Sequence, residues 1–297
     1  MAWSAWKRHR RLGGPAGSLV AVGVALAALA ACGPRDRVAA SFGEPVTVRY
    51  VANAGFLVES ARTRILVDAL FRDGAPGYPA PPPELRAQLE RAEPPFAGVD
   101  LVLVTHAHPD HFDVRALSNH LASNAAASLV APPGCIATLE AAYAGHAPLD
   151  GRLWRAAPSA GEPLQLALTG VDLRVLRLPH SGDDEHVGYL VIVGGKRLLF
   201  LGDAEPRPKD FAELRLAQAD VHVAFAPYWL LLHDAWRDLV ATGIAPERVV
   251  VTHLPAREVR IAALDALGGA DGVRERIRTA WPDAILLERP LETVRFD

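Results

Sequence analysis

One short string limits what this chain can become: Thr105-His106-Ala107-His108-Pro109-Asp110-His111, directly after the apolar run 101–104. Three histidines and an aspartate within six residues make poor core material, because imidazoles and carboxylates bury only with partners. The apolar run reads as a strand, so the string is a strand end feeding a histidine-rich loop. In an extended segment residues two apart point the same way, so His106 and His108 present two imidazoles to one ion. Asp110 and His111 then turn toward a second ion close by. Nitrogen donors with a carboxylate suit zinc first, and manganese or iron can also use them.

Three further polar residues each follow an apolar run: His180 after 173–178, Asp203 after 197–201 and His253 after 249–252. With them the string resembles the His-x-His-x-Asp-His signature of the metallo-β-lactamase superfamily, whose remaining ligand positions occur here in order. The resemblance reaches over nearly all of the chain beyond residue 46. It implies an α/β fold, a four-layer αββα sandwich, with every ligand at a strand end on one rim. It also implies two divalent metal ions. His106, His108 and His180 would hold the first, Asp110, His111 and His253 the second, and Asp203 would bridge them. Asp68, closing the run 64–68, matches the family aspartate that supports the metal loop without binding metal; the competing reading is a turn aspartate. Pro109 departs from relatives by fixing φ and removing a backbone donor inside the loop, which leaves the metal open between zinc, manganese and iron.

Asp110 and His186 are the candidate catalytic residues. His186 precedes the run 187–193, where it either donates to a developing oxyanion or leaving group, or is a strand-start surface histidine. Tyr228, Trp229 and His233 follow another run, as pocket wall or as core. His120, His146 and His222 lack ligand context and read as structural.

Two adjacent divalent ions lower the pKa of a water bridging them, so hydrolysis by a bridging hydroxide is the expected reaction. By resemblance, Gly202-Asp203 points away from antibiotic hydrolysis, since the better-known zinc β-lactamases lack the bridging aspartate. The segments 53–57, 65–68, 188–189 and 200–203 are most similar to the branch containing sugar-phosphate lactonases and acyl-ethanolamine phospholipases. An ester, lactone or phosphodiester, small or lipid-like, is the expected substrate. Two alternatives use the same residues: one iron for dioxygenation, and a catalytically inactive, lipid-anchored metal-binding protein.

The first residues read as a targeting segment. Lys7, Arg8, Arg10 and Arg11 precede an apolar run, 19–31, too short to span a bilayer, which ends in Leu29-Ala30-Ala31-Cys32. This resembles a bacterial lipobox and implies cleavage before Cys32, lipidation of that cysteine, and an exported protein anchored to the membrane. The competing readings are an ordinary secretory signal and an uncleaved anchor. The domain expectation is therefore a signal peptide over 1–31, a tether over 32–45 and a hydrolase domain over 46–297. Loss of four positive charges takes the formal net charge from −3 to −7, which disfavours nucleic acid as a partner. With Cys32 acylated, Cys135 has no partner for a disulfide.

Half of the residues are hydrophobic, enough for a large core. Strands are expected at 46–51, 55–59, 64–68, 101–105, 173–178, 187–193, 197–201, 221–225, 249–252 and 284–287, and helices at 83–91, 114–122, 136–144, 236–242 and 273–279. The Pro- and Gly-dense connection 73–95 is either a lid or substrate wall, or a plain surface loop.

Overall fold

A computed structural model describes residues 43–143, 145, 148–168, 170–181 and 185–297. The signal segment, Cys32, most of the tether and His146 lie outside the described residues. Within them, fourteen strands form two seven-stranded mixed sheets. The first contains β1 (Val46–Ala52), β2 (Gly55–Glu59), β3 (Arg64–Val67), β4 (Leu101–Leu103), β5 (Ser128–Ala131) and β6 (Leu153–Arg155), with the last strand, β14 (Thr293–Phe296), returning to pair with β1. The second runs from β7 (Leu164–Leu168) through β8 (Val171–Arg177), β9 (Val187–Val193), β10 (Lys196–Phe200), β11 (Val223–Pro227) and β12 (Arg248–Thr252) to β13 (Ile285–Leu286). In each sheet an antiparallel set gives way to parallel strands, β3 to β6 in one and β10 to β13 in the other.

The inner faces of the sheets pack on each other through residues such as Phe56, Val67, Leu103, Tyr189, Phe200 and Phe225. Helices α1 (Pro83–Glu90), α2 (Val114–Ser123) and α3 (Pro133–Ala142) cover the outer face of the first sheet with Leu85, Leu89, Leu117 and Ile136. Helices α4 (Pro208–Leu214), α5 (Trp229–Leu232), α6 (Asp234–Asp238) and α7 (Gly269–Ala280) lie along the second, burying Phe211, Leu231, Val273 and Ile277. The result is the four-layer αββα sandwich. Strands buried on both faces, such as β4 and β11, read as unbroken apolar runs for that reason. No helix among the described residues is long and apolar enough to cross a membrane.

Pattern reading missed the edge strands β6, β7 and β14, together with the short β5. β7 and β14 are only half buried, alternating with exposed Gln165 and Arg295, so they offer little apolar signal. It also missed α4 and α5, and it expected one helix over 236–242, where the chain forms α6 and then a wide helical turn over Leu239–Ile244. The helix expected at 136–144 starts earlier because Pro133, with its preset φ, suits a first turn.

Candidate metal centre

The site forms where the carboxyl ends of β3, β4, β8, β10 and β12 meet on one rim. Asp68 and His253, immediately after β3 and β12, take left-handed backbone angles (φ 45° and 57°), as do Asn53 after β1 (φ 49°) and Gly202 after β10 (φ 54°). Left-handed residues turn the chain sharply, so each side chain leaves its sheet and points inward; for residues other than glycine such angles are sparsely populated and cluster at functional sites. At Gly202 a Cβ would stand 2.6 Å from His186 Nε2 and 2.9 Å from Thr105 Oγ1, so glycine alone fits.

The structure gathers the predicted donors into two adjacent groups. His106, His108, His180 and Asp203 form one and Asp110, His111 and His253 the other, with donor atoms in each lying within 4.8 Å of one another. Asp203 reaches both. Its Oδ1 is 2.9 Å from His111 Nε2 and 2.8 Å from His253 Nε2, while its Oδ2 faces His106 Nε2 at 3.8 Å. The Asp110 Oδ2 accepts a hydrogen bond from Asn53 Nδ2 at 2.9 Å and lies 3.9 Å from His253 Nε2.

The partners of the other ring nitrogens assign the tautomers. His111 Nδ1 donates to Asp68 Oδ2 at 2.9 Å. Thr105 Oγ1 donates to the same oxygen and accepts from His106 Nδ1 at 3.0 Å. His180 Nδ1 donates to the Asp203 carbonyl at 3.0 Å. In the neutral form of these three rings Nε2 carries the lone pair and faces the cluster. His106 Nε2 is buried and has no hydrogen-bond partner among the described residues. A buried polar atom left unpaired costs roughly 1–3 kcal/mol, a cost that a cation bound at the point where these nitrogens converge would offset.

Charge points the same way. Burial opposes the protonated form of His111, yet the Asp203 and Asp68 carboxylates outweigh it and hold this imidazole well above its ordinary pKa. Burial likewise opposes ionisation of Asp203, but His253 and His111 hold the carboxyl well below its usual range. His106 is pushed well below its ordinary value by burial, then by His111. The cluster thus favours positive charge at its centre and keeps His106 neutral, as nitrogen donors to a divalent ion require.

Asp68 sits as anticipated, accepting from Thr105 N at 2.8 Å as well as from His111. Pro109 costs no hydrogen bond. It occupies the second position of a tight turn closed by His111 N donating to the His108 carbonyl at 3.0 Å, where proline is favoured. His186 is a correction. It is buried rather than at the surface, and both ring nitrogens are engaged with backbone. Nδ1 donates to the Leu178 carbonyl at 3.3 Å and Nε2 accepts the Asp203 N–H at 3.0 Å, so both are committed to backbone, while the residue borders the cleft beside His180. Burial pushes its pKa down to about 3, which matches the neutral ring these bonds need.

Pattern reading also overlooked Asn53 and Thr105, which act through hydrogen bonds that no local motif reveals. The 73–95 connection contains helix α1, and its first part, 73–82, packs beside His253. The Tyr78 ring stands 6.1 Å from that of His253, its hydroxyl meets Tyr228 Oη at 3.3 Å, and the Gly77 carbonyl accepts Ala256 N. Trp229 stacks obliquely on His253 at 5.1 Å, whereas His233 stacks on Trp236. A cleft of about 770 Å³ opens beside His180, between Arg177, Pro179, Arg207 and Asp210. His120 and His222 are structural: His120 Nδ1 donates to the Leu89 carbonyl at 2.6 Å, and His222 Nδ1 accepts from Arg197 N.

Comparison with known proteins adds the lineage. The chain is 32% identical over 164 residues to Protein Rv0786c of Mycobacterium tuberculosis, an alignment covering 53% of this chain and 68% of that one. Among solved structures, a metallo hydrolase from the archaeon Ignicoccus hospitalis superposes with a TM-score of 0.54 at 19% identity, over 85% of this chain and 99% of that one. A diiron β-hydroxylase from Streptomyces venezuelae gives a TM-score of 0.57 at 16% identity, over 85% of this chain and 54% of that one. At such identities the likeness is one of fold. The family model described as the beta-lactamase superfamily domain matches residues 63–273, the greater part of the sequence, and the chain belongs to that family.

Proposed function

We infer that this protein is a metal-dependent hydrolase with two divalent ions, zinc by preference, acting on an ester, lactone or phosphodiester. The observation that carries the reading is the Asp203 carboxylate, one oxygen of which faces the His111 and His253 nitrogens and the other His106. A carboxylate turned to two donor groups at once is what a shared ligand requires. His106, His108 and His180 would hold one ion and Asp110, His111 and His253 the other. A pair of ions bound there supplies Lewis acidity toward the bond to be cleaved and acidifies a water between them.

The chain's own residues do the rest. Asp68 and Thr105 keep the His106 and His111 rings in the donating tautomer, Asn53 orients Asp110, and Tyr78 with Trp229 shields the His253 side from water. The half-buried His108, His180 and Asp203 leave the other side open to the cleft, where a substrate would enter. The test is hydrolysis by zinc-loaded protein across lactone, phosphodiester, thioester and β-lactam panels, with the first two classes expected to react. No turnover in any class defeats the reading.

Iron chemistry is the second reading, favoured by a donor set of imidazoles and carboxylates that iron accepts and by the diiron neighbour of the same fold. Metal analysis of protein purified without added metal separates the two.

We also infer that the protein is exported and held at a membrane by lipid on Cys32, from the basic residues, apolar run and cysteine in that order. Cys32→Ser should release it from the membrane fraction, and unchanged retention counts against the anchor.

A further inference from the structure

We propose that the segment His186–Tyr189, at the start of β9, is a clamp that sets the distance between the two metal-bearing loops, with His186 as a positioning residue for the Asp203 carboxylate. The inference rests on the reading of Asp203 as a shared ligand.

His186 ties the Asp203 and His180 loops together, while Val187 and Tyr189 both hold the strand end that leads to His106. His186 Nε2 accepts the Asp203 N–H at 3.0 Å, and its Nδ1 donates to the Leu178 carbonyl, two residues before His180. The Val187 N–H donates to the Thr105 carbonyl at 3.0 Å, immediately before His106. Tyr189 Oη, from the second sheet, donates to the Val104 carbonyl at 2.7 Å, with the Val130 carbonyl at 3.1 Å, where β4 and β5 part in the first sheet. His186, Val187, Tyr189 and the Val104, Thr105, Val130 and Leu178 residues they hold are buried, and Asp203 is half-buried. Bonds to buried backbone groups are costly to leave unmade, so they constrain geometry strongly.

Packing reinforces the grip. The His186 ring lies 5.0 Å, centroid to centroid, from both His106 and His180, packing against the two rings. Gly188 lets β9 approach its neighbours, since a Cβ there would meet Leu178 Cδ1 at 2.4 Å and the Phe200 carbonyl at 2.9 Å. Gly202 lets the Asp203 loop close onto His186 in the same way. No residue of the clamp offers an atom to the donor groups themselves. It acts only through what it holds. Outer partners of metal ligands typically change metal affinity or activity by 10–100-fold.

The experiment uses Mn2+ as probe, titrated into metal-free full-length protein and followed by calorimetry and by the exchange-coupled paramagnetic resonance signal of a manganese pair, which reports the separation of the two ions. Wild type should take up two ions and show the coupled signal. His186→Phe keeps a ring but neither hydrogen bond, and should bind the second ion roughly 10–100-fold more weakly with altered coupling. His186→Gln, whose side-chain oxygen can reach the Asp203 N–H, should recover part of the loss. Tyr189→Phe removes one hydroxyl without changing shape, and should shift the coupling in the same direction by less.

A purely structural role would lower thermal stability in these variants and leave the coupled signal unmoved. Wild-type affinity and coupling in all three variants, or a wild type that takes up only one Mn2+, overturns the proposal. Two coupled ions in wild type with no hydrolysis of any panel substrate leaves the clamp standing and defeats the hydrolase reading alone.

Discussion

Asp68 Oδ2 accepts the Nδ1 proton of His111 at 2.9 Å, and this one bond decides which nitrogen His111 turns to the cluster. Asp68→Asn keeps the shape but replaces a charged acceptor shared by three donors with a neutral amide. Metal affinity at the His111 group is expected to fall by about 10–100-fold while the fold survives. Competitive chelator titration with circular dichroism as control checks this.

Asp203→Asn removes the negative charge that faces both groups. The three histidines of the first group keep a complete nitrogen set, whereas His111 and His253 lose the carboxylate oxygen that stands 2.9 and 2.8 Å from their Nε2 atoms. Elemental analysis should give a fall from about two metals per chain toward about one, as expected when a two-metal centre loses its shared ligand. Unchanged stoichiometry and turnover in the variant would contradict a shared carboxylate.

Gly202→Ala places a methyl 2.6 Å from His186 Nε2 on a residue at φ 54°. Left-handed strain alone costs on the order of 1–3 kcal/mol, and the clash pushes the Asp203 loop outward. A lowered Tm together with weakened metal uptake is expected. A lowered Tm with normal uptake would show that the loop yields elsewhere.

His120 lies far from the metal loops, buried between α1 and α2, and burial depresses its pKa despite the hydrogen bond to Leu89. The fold therefore holds it neutral. The unfolded chain gains a proton below the ordinary histidine value near 6.5 that the folded chain resists, so the stability His120 provides is complete above about pH 6.5 and is lost as pH falls. His120→Leu should lower Tm at pH 7.5, and the gap from wild type should narrow toward pH 5. A gap that widens on acidification would mean that the folded state carries the charged ring.

The gathering of the candidate donors was legible because His106, His180, Asp203 and His253 each stand within two residues of the end of an apolar run, a pattern that packing alone does not produce. His106 and His108 also share a face by their spacing. His186 was misread for a physical reason. Its partners are the backbone groups of Leu178 and Asp203, and backbone groups carry no residue-type signature. Asn53 escaped likewise, since its bond to Asp110 spans 57 positions. Among the elements, β4 and β12 were legible through continuous hydrophobicity, whereas β7 and β14 gained their partners from sheet edges far away in sequence.

The donors divide four to three between the halves of the sandwich. Those from His106 to His111 hang from the first sheet, and His180, Asp203 and His253 from the second. Divalent ions seated between them would act as rivets through two plates, so that tightening the rivet and holding the plates together would be one event. Starvation for metal and loosening of the molecule would then arrive at the same joint.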